Sequence, residues 1–245
     1  MVGQVAATIP PIYYGPTDSC KDGQGLMPGL DWSGYKWTVS SDGYSYPGPN
    51  YWSSNNVWVD SNGDLHLRIS KSDNKWHCAE ITTQEPLPFG KYQFWVIGRL
   101  DHLDKNVVLG MFNYPILDVG PDGTNEIGIE MSRWSNENSP MGNYVVWPNV
   151  LNGPKYVELF PVTLTGTNTT HRFIWRSNDV YFQSLYGFRD WNYTVSEIHS
   201  GNTSYTNYVA QKAMPIHINL WLNKGQPPSN DQPVEILIRR FTYSP

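Results

Sequence analysis

Two glutamates four residues apart carry the clearest chemical signal in this chain of 245 residues. Glu126 and Glu130 enclose two isoleucines that flank Gly128, and β-branched residues with a central glycine favour a strand over a helix. Side chains alternate between the two faces of a strand, so we predict both carboxylates on one face and both isoleucines in a core. Two carboxylates on one face of a sheet suit glycoside hydrolysis, with one as nucleophile and one as general acid/base.

This chemistry restricts the distance between the two carboxyl groups. A retaining glycosidase needs them about 5–5.5 Å apart, and an inverting enzyme needs about 6.5–9.5 Å. On a flat strand, residues four apart lie about 13 Å apart at Cα, at ~3.3 Å per residue. We therefore expect the sheet to be concave here, with both glutamates leaning inward.

The elements that must position the glutamates show strand patterns. Strand signals recur from residue 50 onward, and no 3.6-residue periodicity is evident, which predicts an all-β sandwich of two sheets. Residues 57–69 predict a hairpin with an Asn62-Gly63 type I′ turn. The run from Val234 to Ile238 predicts an edge or one-sided strand, and residues 186–212 predict a long loop.

Several motifs occur in the order found in one known family. The stretch around Glu126 and Glu130 resembles the Glu-x-Asp-x-Glu catalytic strand of family 16 glycoside hydrolases, the concanavalin-like β-jelly-roll enzymes that include lichenases and laminarinases. The resemblance covers roughly residues 30 to 245. Its other matching segments are residues 79–81, 89–94, 107–114, 171–175, 180–182 and 218–221.

The resemblance implies a fold, an activity and a set of site residues. It implies a single domain over residues 1–245, a concanavalin-like β-jelly-roll of two antiparallel sheets, with residues 1–30 as an irregular N-terminal wrap. It assigns Glu126 as nucleophile and Glu130 as acid/base of an endo-acting, retaining β-glycan hydrolase. The residues expected to bind or shape the site for a polysaccharide are Glu80, Tyr114, Gly128, Arg133, Trp134, Trp147, Asn219 and Trp221.

The chain departs from the family pattern at one position, because Gly128 stands where the family has its central aspartate. In the family this aspartate hydrogen-bonds the nucleophile, and its like charge raises the pKa of the general acid. Three alternatives follow: a weakened enzyme, an enzyme with a replacement group from another strand, or a non-catalytic polysaccharide-binding protein. Transglycosylation by the same residues is also open. The motif spacing favours mixed-linkage β-glucan, and laminarin, agar, carrageenan and xyloglucan stay open.

Composition narrows the classes of partner. The chain has 11 Trp and 16 Tyr, which suits stacking on sugar rings, although these residues also favour strands. The net charge is −5 and no basic patch is present, so no nucleic-acid partner is expected. No apolar run approaches the ~18 residues of a membrane span, so no membrane partner is expected either.

The remaining expectations concern cysteines, cofactors and location. Cys20 and Cys78 suit either a disulfide in an oxidising compartment or two buried thiols. No histidine pair has a zinc-binding spacing and no nucleotide-binding loop occurs, so we expect no cofactor; a structural calcium occurs in some relatives but has no locatable site here. No signal peptide is visible, yet polysaccharides are mostly extracellular, so we expect an extracellular or periplasmic monomer.

Overall fold

The chain forms a β-sandwich. The computed structural model describes residues 29–40, 43–190, 196–203 and 208–245. Within these ranges there is no α-helix, and three short 3-10 helices lie at Ser54–Asn56, Leu100–His102 and Asn223–Gly225. The strands are β1 Gly29–Trp32, β2 Tyr35–Val39, β3 Gly43–Ser45, β4 Asn50–Trp52, β5 Val57–Val59, β6 Leu65–Ser72, β7 Lys75–Thr83, β8 Gly90–Ile97, β9 Val107–Asn113, β10 Ile127–Met131, β11 Gly142–Val146, β12 Tyr156–Phe160, β13 Asn168–Trp175, β14 Val180–Tyr186, β15 Glu197–Asn202, β16 Ile216–Leu222 and β17 Val234–Ser244.

Two antiparallel sheets account for nearly all of these strands. The first has the order β1–β2–β7–β16–β9–β10–β11–β12. The second has the order β5–β6–β17–β8–β13–β14–β15. Strands β3 and β4 form a small hairpin, and β4 pairs in parallel with β7. The predicted fold, an all-β jelly-roll sandwich of two antiparallel sheets, is confirmed.

The main core lies between the two sheets, and period-2 alternation selects which side chains enter it. From β10, Ile127, Ile129 and Met131 belong to the core cluster and are fully buried. Phe173 and Phe182 contribute from the second sheet. Burial of one such side chain stabilises the fold by about 1.5–3 kcal/mol, so the register that turns the isoleucines inward is strongly favoured.

The predicted hairpin forms, but its turn differs from the predicted type I′. Strands β5 and β6 pair antiparallel, and only Gly63 in the connecting loop has a positive φ, at 82°. The Gly63 N–H donates to the Asp60 carbonyl oxygen at 3.0 Å, which is typical of a type I turn followed by a glycine bulge. The Asp60 carboxylate accepts N–H groups from Asn62 and Asp64, and these bonds stabilise the longer loop.

Two other local predictions need correction. Residues 186–212 are not one loop, because β15 forms within them and pairs with β14; residues 191–195 and 204–207 lie outside the described ranges. The predicted strand at the C-terminus, β17, alternates in burial as expected for a one-sided strand. It is not an edge strand, since it pairs with both β6 and β8. The predicted wrap at residues 1–30 falls almost entirely outside the described residues, and residues 29 and 30 start β1.

Candidate active site

The side of the first sheet that faces away from the core carries Glu126, Gly128 and Glu130; we call it the glutamate face. All three are absent from the core cluster, whereas their neighbours on β10 belong to it. Glu126 continues the pairing of β10, because its carbonyl oxygen accepts the N–H of Trp147 at 2.8 Å. Both glutamates are deeply buried, at 1% and 4% exposure. The sheet thus places the two carboxyl groups on the same side, as the alternation predicts.

The first row of the glutamate face runs across four strands from Glu130. Glu130 lies opposite Gly110 of β9, Gly110 lies opposite Asn219 of β16, and Asn219 lies opposite Glu80 of β7. A side chain at Gly110 would collide with the Asn219 Oδ1 atom, so the glycine makes room for that amide beside Glu130. The pairing register of the strands therefore places three predicted site residues, Glu130, Asn219 and Glu80, in one row.

The second row passes through Gly128 and is mostly apolar. Gly128 lies between Phe112 of β9 and Val145 of β11, and a Cβ atom at position 128 would lie 2.8 Å from the Phe112 Cβ. The Phe112 ring stacks on His217, with ring centroids 5.1 Å apart. The space between the two glutamates is therefore flanked by apolar side chains, and it holds no carboxylate from β10.

The third row contains Glu126, Tyr114 and Trp147. The register of β10 with β9 and β11 continues to place Tyr114 and Trp147 on either side of Glu126. The Tyr114 hydroxyl donates to Asp122 Oδ1 at 3.1 Å. Lys155, just before β12, places its Nζ atom 3.3 Å from the centroid of the Trp147 ring.

Burial dominates the electrostatics of the carboxyl pair. It raises the pKa of Glu130 from its ordinary value near 4.5 to about 8. Burial also raises the pKa of Glu126 well above that value; the negative charge of Glu130 raises it further, and the positive charge of Lys155 opposes both effects. Two buried carboxyl groups in one site resist joint ionisation, so the pair resists the loss of both protons.

The glutamate face also holds buried polar atoms that lack a partner. No described residue forms a hydrogen bond with either side-chain polar atom of Asn219 or with the indole N–H of Trp221. These residues are 0% and 3% exposed. A buried polar group without a partner costs about 1–3 kcal/mol, so such groups beside Glu130 indicate a site for a ligand with hydroxyl groups.

Trp134 borders this site from the loop after β10. Its ring packs edge-on against Trp221, with centroids 6.1 Å apart, and its indole N–H donates to Asn143 Oδ1 at 3.0 Å. Asn143 lies opposite Glu130 in β11, and its amide donates to the carbonyl oxygens of Glu130 and Ser132. Trp134 is half-buried, so one part of its ring stays accessible.

Arg133 and Glu80 already have partners within the protein. The Arg133 guanidinium donates to the carbonyl oxygens of Asp101 and Leu103, at 3.2 and 3.3 Å. Its predicted role in shaping a sugar subsite stays a prediction. Glu80 lies on the glutamate face, where its carboxylate is 3.0 Å from His217 Nδ1. Its second oxygen accepts the Ser40 hydroxyl at 3.0 Å, so both oxygens of this carboxylate have side-chain partners.

Of the two cysteines, the structure describes only Cys78. Cys78 is a buried free thiol that lies 3.4 Å from Asn50 Oδ1, and burial raises its pKa to about 12. Cys20 lies outside the described residues, so its predicted pairing stays a prediction. Across the described ranges, no three His, Cys, Asp or Glu side chains lie together as metal ligands, and a structural calcium stays unplaced.

No helix in the described part of the chain has the length and apolar character to cross a bilayer.

Sequence reasoning missed three residues of this face. Phe112 shares the face of Tyr114 two residues later, so period-2 alternation within β9 was a usable signal for it. Asn143 lies on β11, which carries no motif of its own. Lys155 has no local signal at all, because only strand pairing brings it to Trp147.

Comparison with known proteins identifies the fold. No family model and no curated protein matches the chain. Among solved structures, a Bacillus licheniformis β-glucanase has 20% identity and a TM-score of 0.62, over 85% of this chain and 92% of that chain. A β-1,3-glucanase from Mycobacterium marinum has 18% identity and a TM-score of 0.62, over 95% and 97%. A Bacteroides ovatus mixed linkage glucan GH16 protein, in complex with a G4G4G3G product, has 14% identity and a TM-score of 0.64, over 85% and 94%.

These likenesses define the class of fold to which the chain belongs. It has the β-jelly-roll of family 16 glycoside hydrolases, at identities of 14–20%. Identity this low shows a shared fold, and a fold hosts many activities. Function must therefore be argued from the site.

Proposed function

We propose that this protein is a retaining, endo-acting glycosidase of a β-linked polysaccharide, with β-glucan as the first candidate substrate. One observation carries the proposal. Glu126 and Glu130 lie on the same face of one strand, beside the unpartnered polar atoms of Asn219 and Trp221. This arrangement combines a nucleophile, an acid and hydrogen-bonding groups for a sugar in one place.

The mechanism assigns different protonation states to the two glutamates. Glu130 is assigned as the proton donor; burial raises the pKa of its carboxyl group, and it raises that of Glu126 as well. It protonates the glycosidic oxygen while the Glu126 carboxylate attacks the anomeric carbon and forms a glycosyl-enzyme ester. Glu130, now ionised, then takes a proton from water, which displaces Glu126 with net retention of configuration.

The surrounding side chains supply sugar binding. The Asn219 amide and the Trp221 N–H are available to the hydroxyl groups of a sugar beside Glu130. Trp134 presents a half-buried ring next to Trp221 for stacking. Tyr114 and Trp147 flank Glu126 on its two sides and border the neighbouring sugar position.

A non-catalytic polysaccharide-binding protein is the second candidate. Gly128 favours it, because the carboxylate that the family uses to orient its nucleophile is absent here. Asn219 and Trp221 serve binding equally well, so they do not separate the two functions. Transglycosylation uses the same glutamates and differs in the acceptor.

A panel of polysaccharides separates these functions. Mixed-linkage β-glucan, laminarin, agar, carrageenan and xyloglucan are each tested for release of reducing ends and for retardation of the protein in affinity electrophoresis. We expect cleavage of a β-glucan into oligosaccharides. Retardation without cleavage would contradict the enzyme and support the binding protein. Longer products without net reducing ends would indicate transglycosylation. Extracellular or periplasmic action as a monomer is part of the same proposal.

The contribution of the absent carboxylate is testable at Gly128. Any side chain there must displace Phe112, because a Cβ would lie 2.8 Å from the Phe112 Cβ, and such overpacking costs about 1–3 kcal/mol. Gly128→Ala carries that steric cost without charge, so it is the matched control for Gly128→Asp. We expect the aspartate variant to be faster than the alanine variant. Its pH optimum should be higher, since a second negative charge raises the pKa of Glu130.

Thermal melts and pH–rate profiles of both variants provide the measurement. Both are expected to melt below the parent protein. Equal rates for the two variants at every pH would mean that a carboxylate at position 128 has no role in this site.

A further inference from the structure

A lysine from a neighbouring strand lies in the same cross-strand row as Glu126. Val146 of β11 pairs with Tyr156 of β12, so Trp147 and Lys155 are the next opposed pair. Trp147 is in turn opposed to Glu126 through the backbone bond between them. The Lys155 Nζ lies 3.3 Å from the centroid of the Trp147 ring, and the ring face holds the ammonium group by a cation–π interaction.

The site needs a positive charge at this position. A nucleophile must be ionised, yet Glu126 is buried and the negative charge of Glu130 opposes its ionisation. Most other titratable groups around Glu126 do not help, because Glu130, Tyr114 and Asp122 are neutral or negative. His217, beyond Phe112, lies against Glu80. Within the described part of the chain, Lys155 is the cation whose charge opposes the rise in the pKa of Glu126.

The effect of this cation is different at the two glutamates. Burial and the charge of Glu130 raise the pKa of Glu126 and the charge of Lys155 opposes them, whereas burial raises the pKa of Glu130. A cation in the row of one carboxyl group favours ionisation of that group, which suits Glu126 as the nucleophile and Glu130 as the acid. Partial burial lowers the pKa of Lys155, and the negative charge of Glu126 opposes that shift.

We propose that Lys155, held on the Trp147 ring, is the positioning residue whose positive charge favours the carboxylate form of Glu126 in a site where Gly128 supplies no carboxylate. This inference rests on the proposed glycosidase function. The replacement for the family's central aspartate is then Lys155, a cation from outside β10 that acts on the nucleophile. The family instead places an anion between the two glutamates. Lys155 itself transfers no proton and forms no bond to the substrate.

Direct titration of Glu126 tests the proposal without any need for turnover. The carboxyl carbons are labelled with ¹³C through glutamate, and the Glu126 signal is assigned by its loss in Glu126→Gln. We expect Lys155→Met to raise the pKa of Glu126 and Lys155→Arg to leave it near the parent value, since arginine keeps the charge and also stacks on aromatic rings. Lys71→Met is the control, because Lys71 lies over the Trp76 ring, far from this row.

Kinetics on the best substrate of the panel provide a second measurement. Lys155→Met should move the acid limb of the kcat/KM profile to higher pH, and Lys155→Arg should restore it. A lysine that only bound sugar would raise KM without moving that limb. Lys155 is exposed, so the variants are expected to fold, and melts check this.

Each outcome separates this inference from the proposed function. The inference is overturned if Lys155→Met changes neither the pKa of Glu126 nor the acid limb of the kcat/KM profile. It is also overturned if Lys155→Arg shifts both as much as Lys155→Met does. If Glu126 titrates at higher pH in Lys155→Met while no glycan is cleaved by the parent protein, the charge link stands and the glycosidase function fails.

Discussion

Glu126→Gln is expected to lower kcat by about 10³-fold or more while the protein still folds and binds its polysaccharide. An amide has nearly the shape of a carboxylic acid but cannot attack the anomeric carbon, so the covalent intermediate does not form. The side chain is almost fully buried beside Tyr114 and Trp147, and the exchange changes no packing volume. The measurement is release of reducing ends by the parent and variant, with affinity electrophoresis on the same glycan.

A matched control is available on the opposite side of the molecule. Glu235 lies on β17 in the second sheet and is exposed, with its carboxylate 2.8 Å from His66 Nδ1. Glu235→Gln is expected to keep parental activity. If Glu126→Gln also keeps it, Glu126 is not the nucleophile; if both variants lose activity, the loss reflects general damage to the fold.

Glu130→Gln is expected to lower kcat by about 10²–10⁴-fold, which is the usual contribution of a general acid. The loss should depend on the leaving group, because protonation of the glycosidic oxygen matters most when the departing group is a poor one. We expect a large loss on the polysaccharide and a much smaller loss in the glycosylation step of an activated aryl glycoside. Equal losses on both substrates would contradict the assignment of Glu130 as the acid.

The same substitution is expected to change the pH dependence of stability. Burial raises the pKa of Glu130 in the folded state to about 8, from about 4.5 when unfolded. Its contribution to the free energy of unfolding is therefore fully present below about pH 4.5 and is lost as pH rises through about 8. As pH rises from about 5 to about 8, the Tm of the parent should fall more than the Tm of Glu130→Gln. The Tm of Glu235→Gln should fall as much as that of the parent. Parallel curves for parent and Glu130→Gln would mean that Glu130 ionises freely in the fold.

The alternation of residues along β10 was readable from the sequence because it is a local property of a strand. Ile127 and Ile129 had to enter a core, and this forced Glu126 and Glu130 to the opposite face together. The motif order predicted the jelly-roll for the same reason, since each strand carries its own pattern. The turn type was not predicted correctly from the Asn62-Gly63 pair. The loop forms a type I turn with a glycine bulge, because the Asp60 carboxylate accepts hydrogen bonds from within it.

The tertiary structure decided the rows in which residues stand beside the two glutamates, and it added residues that the motifs had not indicated. The neighbours of a strand residue across a sheet come from other strands, and their register depends on packing of the whole sandwich. Arg133 is predicted at the site from the sequence, and the folded chain adds that its guanidinium donates to two backbone carbonyls. Lys155 carried no sequence signal, yet strand pairing places it over Trp147 in the row of Glu126. The sequence by itself determined which carboxyl groups share a face; the assembled sheet determined their charges and partners, because burial and long-range pairing exist only in the folded chain.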